Sequence, residues 1–479
     1  MADSTVPVDS PVPSPATAES EATVVPSKFL FPFILVTSLF ALWGFANDVT
    51  NPLVKAFKEI FLISNAQSSL VQTAFYGGYA TMAIPAALVI RRFSFKTGIL
   101  LGLGLYAIGA LLFIPASMNM QFGLFLVALY VLTFGLAFLE TTANPYILSM
   151  GPPETATRRL NLAQAFNPIG SLTGMIVASQ FILPNLQVAD FRQQQVDANP
   201  AYQEMLPSEV DGLVTQALED YSVANPTEHQ AMQAHDLGVV RVPYVVIGVV
   251  VIAVLLVFAI SKMPDTGREH EQISLGKLTL KLATFRYLGG VFAQAFYVGA
   301  QIMCWTFIIH YGMTLLGMTA AEAQRHNIAA MIIFLTSRFI CTFILKYLRP
   351  GLLLGILAIG GMLLTAGAIF VQGYAGIYCL VGVSACMSLM FPTIYGLALD
   401  GLNPEDGKLA SAGLIFAIVG GALMPRFQGQ IIDMNAFNFA GMELESVRVS
   451  FVLPLICFVV IAIYGFAMSM TQRPTSTSA

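Results

Sequence analysis

The sequence predicts an all-α membrane protein of twelve transmembrane helices in two six-helix bundles. Three observations carry this reading: twelve apolar runs of spanning length, a scarcity of charge, and a short motif that recurs at the same place in each half. Hydrophobic residues make up 56% of the 479-residue chain and charged residues 10%, against about 25% charged in a soluble domain. A bilayer core needs roughly 20 apolar residues per helix. The runs that meet this are Phe29–Val54, Ser68–Ile90, Thr97–Ala116, Phe122–Leu148, Leu160–Leu183, Pro243–Lys262, Tyr287–Met313, Asn327–Tyr347, Gly351–Val371, Gly376–Leu399, Leu409–Ile432 and Ser450–Met470. No stretch alternates apolar and polar residues at period two over ten-residue segments, which argues against a barrel. Helices are the other way to satisfy every backbone group inside a bilayer.

The recurring motif is FKTGILLGL at Phe95–Leu103 against LRPGLLLGI at Leu348–Ile356, each entering the third helix of its half. Asn144-Pro145 and Phe391-Pro392 likewise fall in the fourth helix of each half. Two parallel repeats related by an axis along the membrane normal place a solute site at the midplane between them. The expected order is a disordered tail (1–28), an N-terminal bundle (29–262) with an acidic outer loop (184–240), a charged linker (263–286), a C-terminal bundle (287–470) and a short tail (471–479). The first tail holds four acids and one base, Lys28, and the outer loop nine acids and one base, Arg192. Short surface helices that shield the outer mouth are expected of that loop. Most of the 23 Lys and Arg residues, among them Arg91, Arg92, Lys96, Arg158, Arg159, Lys277, Lys281 and Arg286, lie on the side that carries both termini. The positive-inside rule therefore puts the termini in the cytoplasm, with the plasma membrane as the expected location.

The polar residues inside the apolar runs are the candidates for function. Glu140 sits within FGLFLVALYVLTFGLAFLETTANPYILSM at Phe122–Met150. A carboxylate there costs about 2.5–3.5 kcal/mol on insertion scales, so it marks a cavity or a partner; snorkelling to the interface is the plainer alternative. Asn144 shares its helical face, and Pro145 frees a carbonyl one turn back to line a polar path. In helix one, Asn47, Asp48 and Asn51 present polar atoms on two faces. In helix five, Asn161, Gln164 and Asn167 follow a three-residue stripe, and in helix seven Gln294, Tyr297, Gln301 and Trp305 continue another. Amides both donate and accept, which suits hydroxyl-rich solutes, whereas any one of them alone also reads as interhelical glue. Arg338 in helix eight is either a lipid-facing snorkeller or a counter-ion in the cavity. His310 reads as interfacial, and the five cysteines, without metal spacing or a CxxC pair, read as packing residues.

Four stretches carry a family resemblance: GLAFLETTANP (Gly135–Pro145), RLNLAQAFN (Arg159–Asn167), AQAFYVGAQIMCW (Ala293–Trp305) and FPTI (Phe391–Ile394). They closely resemble the fucose/proton symporter family of the major facilitator superfamily, which also includes bacterial glucose and galactose transporters; the resemblance runs from Phe31 to Met470. It implies a two-bundle carrier that alternates access to a central sugar site. Glu140 matches the helix-four acid that carries the coupling proton. The helix-one pattern departs: Asn51 stands where the family has Asp, and Asp48 appears one turn earlier, where an amide is usual. Met390-Phe391 replaces a polar pair of the fucose carriers.

The expected function is secondary transport of a monosaccharide, fucose-, galactose- or glucose-like, with proton coupling through Glu140 and Asp48. Substrate contacts are expected from Asn47, Asn51, Asn144, Gln164, Asn167, Gln294, Tyr297, Gln301 and Trp305, with Arg338 the counter-ion candidate. An exporter of a less polar metabolite, or a facilitator without proton coupling, is the alternative. No phosphate loop, nucleophile elbow or metal cluster suggests an enzyme. The expected partners are the solute, protons and the bilayer, with no cofactor, metal or nucleic acid.

Overall fold

The computed structural model describes residues 23–471 apart from 51, 69, 206, 265–281, 433, 435–436 and 440–441. Among the described residues there are twelve helical spans. The N-terminal half comprises Ser27–Phe61, Leu70–Arg92, Phe95–Asn119, Phe122–Ser149, Pro153–Asn185 and Pro226–Ile260. The C-terminal half comprises Phe285–Leu316, Glu322–Ile344, Pro350–Phe370, Tyr374–Leu399, Glu405–Ile432 and Ser446–Thr471. The sixth span starts well before the apolar run that announces it, because the polar segment from Pro226 continues the same helix. Among the described residues the fold is all-α but for the antiparallel pairing of Phe437–Phe439 with Met442–Leu444.

Close backbone approach repeats in the two halves. A Cβ on Gly170 of the fifth span would come within 1.9 Å of the Ala41 carbonyl oxygen in the first span, and one on Gly420 of the eleventh within 2.2 Å of the Ala295 carbonyl oxygen in the seventh. Only glycine lets these helix pairs cross so tightly, as small residues do at membrane interfaces generally.

Proline breaks shape the interior. The fifth span is two helices, Ala156–Gln164 and Asn167–Val177, and the tenth is Tyr374–Met387 followed by Met390–Leu399. Pro145, Pro168 and Pro392 each remove the N–H that would bond the carbonyl four residues back, which frees the oxygens of Thr141, Gln164 and Ser388. All three are claimed by side chains from other spans. Ser411 Oγ lies 3.2 Å from the Thr141 oxygen, sharing its proton with Lys408 O at 2.7 Å. Arg338 Nη1 donates to Gln164 O at 2.9 Å, and its Nε donates to Ser388 O. The carbonyl that Pro145 frees therefore serves an interhelical contact rather than a polar path.

The halves meet on the face that carries both ends of the bundle. Asn161 Nδ2 donates to Thr393 Oγ1 at 3.1 Å, the Lys408 ammonium sits 4.8 Å from the centre of the Phe95 ring, and Gly396 abuts Thr157. On this face, too, the buried Arg159 donates to the Ile147 carbonyl at 2.7 Å and to the Val24 carbonyl at 3.0 Å, holding the last turn of the fourth span against the entering chain.

At the opposite face the loop between the fifth and sixth spans forms helices Gln187–Ala198 and Pro207–Ala224. The buried Asp236 of the sixth span accepts the backbone N–H groups of Gln187 and Val188 at 2.7 and 2.9 Å, capping the first of these helices. Arg192 then bonds Asp211 and pairs with Glu59 at 3.2 Å, tying the loop to the end of the first span. The loop helices thus ride on the N-terminal half.

A central cavity as the candidate functional site

Between the halves lies a cavity of about 130 Å³, far larger than the space one water needs. Its two walls differ chemically. Asn47, Asp48, Tyr76, Tyr79, Glu140, Gln164, Asn167 and Ser171 of the N-terminal half make a mainly polar wall, with Trp43, Phe75 and Pro168 among them. Val298, Ile302, Met331, Phe334, Phe391 and Ile418 of the C-terminal half make an apolar one, interrupted by Tyr297, Gln301, Trp305 and Arg338.

Glu140 is only 7% exposed, and that exposure is to the cavity. It does not snorkel. The Tyr79 hydroxyl of the second span is its side-chain hydrogen-bond partner. Tyr76, one turn away, lies within electrostatic reach of Asp48, and Asn47 Nδ2 lies 3.5 Å from Asp48 Oδ2. Neither tyrosine stands out in the sequence, since each sits in an apolar run where an aromatic ring reads as packing; their spacing of three is the signal that links them.

The fifth-span stripe divides because its helix breaks. Gln164 faces the cavity and donates to Asn144 Oδ1 at 2.8 Å, while Asn144 Nδ2 donates to the Glu140 carbonyl at 3.0 Å. Asn144 is fully buried behind Gln164 and does not line the cavity. Its place is to orient Gln164. Asn167 reaches the cavity and donates to the Phe40 carbonyl at 3.2 Å. Asn161 turns away to Thr393 across the seam.

In the seventh span Tyr297, Gln301 and Trp305 line the cavity. Trp305 Nε1 donates to Ser384 Oγ at 3.1 Å, and its ring meets Phe334 edge-on at 5.0 Å. The indole is thereby fixed with its N–H satisfied. Gln294, expected to continue this stripe into the site, is fully buried and absent from the cavity wall. Asn51 lies outside the described residues.

Arg338 is a cavity residue and not a lipid-facing snorkeller: it is 3% exposed. Its guanidinium bridges the halves through the carbonyls of Gln164 and Ser388 and lies 4.6 Å from the centre of the Phe334 ring. Charge-assisted bonds of this kind contribute about 1.5–3 kcal/mol each. His310 is exposed.

This arrangement has close relatives. Residues 35–188 match the model of the Major Facilitator Superfamily. The chain is 54% identical over 447 residues to the L-fucose-proton symporter of Haemophilus influenzae, covering 93% of this chain and 98% of that protein. It is 30% identical over 438 residues to the glucose/galactose transporter of Brucella abortus, covering 91% and 93%. Among solved structures, the Major Facilitator Superfamily transporter FucP in the outward conformation aligns at a TM-score of 0.75 with 32% identity, covering 92% of this chain and 99% of that one. The similarity spans both halves and the loops that join them, and on that evidence the chain belongs to the fucose/proton symporter family of the Major Facilitator Superfamily.

Proposed function

We propose that this protein is a secondary transporter that carries a monosaccharide of the L-fucose type by alternating access, with a proton moved through Glu140. The observation that carries the reading is the two-faced cavity between the halves. Its polar wall supplies amides that both donate to and accept from hydroxyls, and its apolar wall suits a methyl group or the flat face of a pyranose ring. A 6-deoxy sugar has both kinds of surface. The 54% identity to an L-fucose-proton symporter supports the same choice over glucose or galactose.

The halves are closed on the face that carries the bundle ends. The excess of Lys and Arg on that face supports a cytoplasmic placement, and the closure there supports reading this as the outward-facing state of a plasma-membrane importer. Glu140 and Asp48 face the same cavity, which supports coupling by two acids in which Asp48 does the work of the family's helix-one Asp. A buried carboxyl that gains and loses a proton changes the charge of the cavity, and with it the ease of closing the halves over a neutral solute. The test is uptake by purified protein in liposomes over a panel of fucose, galactose, glucose and xylose, with a proton gradient imposed or collapsed. Saturable, gradient-driven uptake with fucose preferred supports the reading; absence of uptake of every sugar refutes it.

A further inference from the structure

Buried polar groups are nearly always hydrogen-bonded, so those that are not need an explanation. In this protein three residues with such atoms gather with Tyr395 on the closed side of the cavity. Thr141 Oγ1, Asn161 Oδ1 and both amide atoms of Gln294 are buried without a hydrogen-bond partner, and the buried Tyr395 hydroxyl has only the Ser411 side chain beside it. They come from the fourth and fifth spans on one side of the seam and the seventh and tenth on the other.

Their positions converge. Thr141 and Asn161 belong to the two spans that touch the C-terminal half here, through Ser411 and Thr393. Tyr395 lies two residues beyond Thr393, hydrogen-bonded to the Ser411 side chain and within electrostatic reach of Glu140. The seventh and tenth spans run antiparallel: Gly290 abuts Ala398, and the Tyr297 and Phe391 rings are 6.2 Å apart. Between those two levels, Gln294 falls opposite Ile394 and Tyr395. Thr141, Asn161 and Tyr395 thus sit where the halves must part for the cavity to open to the other face, with Gln294 packed beside Tyr395 on the C-terminal side.

We propose that Thr141, Asn161, Gln294 and Tyr395 form a second polar subsite, dry in this state, that hydrates and takes the hydroxyls of the leaving sugar when the halves separate on the side of the bundle ends. The orphan atoms are unsatisfied in the closed seam and satisfied in the open one. Their cost in the closed state favours opening. The inference rests on the carrier reading above and adds an exit site to it.

The test uses the full chain in oriented vesicles, with the five native cysteines replaced and a membrane-impermeant thiol reagent applied from either face. Gln294→Cys and Asn161→Cys are expected to react from the face of the bundle ends, several-fold faster while L-fucose is being transported. Gln301→Cys is expected to react from the opposite face and to be protected by the sugar. Variants at 294 and 161 that transport yet never react from either face overturn the proposal. As a variant that keeps the fold, Tyr395→Phe is expected to slow turnover several-fold with little change in apparent affinity at the opposite face; unchanged turnover also overturns it. If instead no sugar is taken up and Gln301→Cys is not protected, the carrier reading has failed rather than the exit site.

Discussion

Arg338 Nη1 of the eighth span donates a 2.9 Å hydrogen bond to the carbonyl of Gln164 in the fifth, across the seam between the halves. The acceptor is free because Pro168 has no N–H to offer it. The same guanidinium holds Ser388 O, which Pro392 frees in the tenth span. One rigid fork therefore joins two proline breaks. Lys cannot do this, since its ammonium is a single point on a flexible stem. Arg338→Lys is expected to assemble normally but to lose at least about tenfold in turnover, roughly 1.4 kcal/mol. Arg338→Met leaves two buried carbonyls unpaired, at about 1–3 kcal/mol each, and should also lower thermal stability in detergent. Uptake and melting of the two variants check this; wild-type turnover in Arg338→Lys contradicts it.

The amides and rings of the cavity are expected to set affinity and sugar ranking. Gln301→Ala and Trp305→Ala should raise the apparent KM for L-fucose by roughly tenfold or more, because a site built for hydroxyls suffers when they go unpaired. Asn144→Leu should act more weakly and indirectly, by releasing Gln164 from its 2.8 Å bond. Competition assays with analogues lacking one hydroxyl would show the pattern; identical ranking in wild type and Gln301→Ala would reassign Gln301 to packing.

Asp48 separates symport from facilitation. It shares the cavity with Glu140, and positions 48 and 51 are three residues apart in the sequence. If Asp48 supplies the second acid, Asp48→Asn uncouples uptake from the proton gradient, and Asn51→Asp in the wild type adds little. Uptake at fixed internal pH should rise as the external pH falls, and this dependence should vanish in Asp48→Asn. An Asp48→Asn protein that still concentrates sugar refutes the relocation.

Gly170 tests the packing account. Its missing Cβ makes room for the Ala41 carbonyl, which a methyl would approach to 1.9 Å. Overpacking costs typically 1–3 kcal/mol, so Gly170→Ala should lower the melting temperature and the yield of folded carrier. Gly123→Ala, where a Cβ meets nothing within 4 Å, is the control and should leave both unchanged.

Much of this was legible in the residues, for reasons that also mark where legibility stops. The spans announce themselves because hydrocarbon tolerates little else, and Glu140 stands out for the same reason. Pro145, Pro168 and Pro392 are visible as breaks, but the donors that claim the freed carbonyls come from distant spans and depend on tertiary packing. Gln294 and Gln301 are the same residue type on the same helical stripe. Only the state of the seam, closed at one level and open at the other, distinguishes a buried amide from a cavity amide. Tyr79 is marked within its own helix only by its spacing of three from Tyr76, because the partner that gives it meaning, Glu140, is on another span.

The central claim, a proton carried by Glu140 alongside a sugar, is tested most directly by accumulation of labelled L-fucose in liposomes with the outside made acidic, comparing wild type with Glu140→Gln. Wild type should concentrate the sugar above equilibration and stop doing so when the gradient is collapsed. Glu140→Gln should still exchange sugar across the membrane but never exceed equilibration. Equal gradient-driven accumulation by the two proteins would contradict the account.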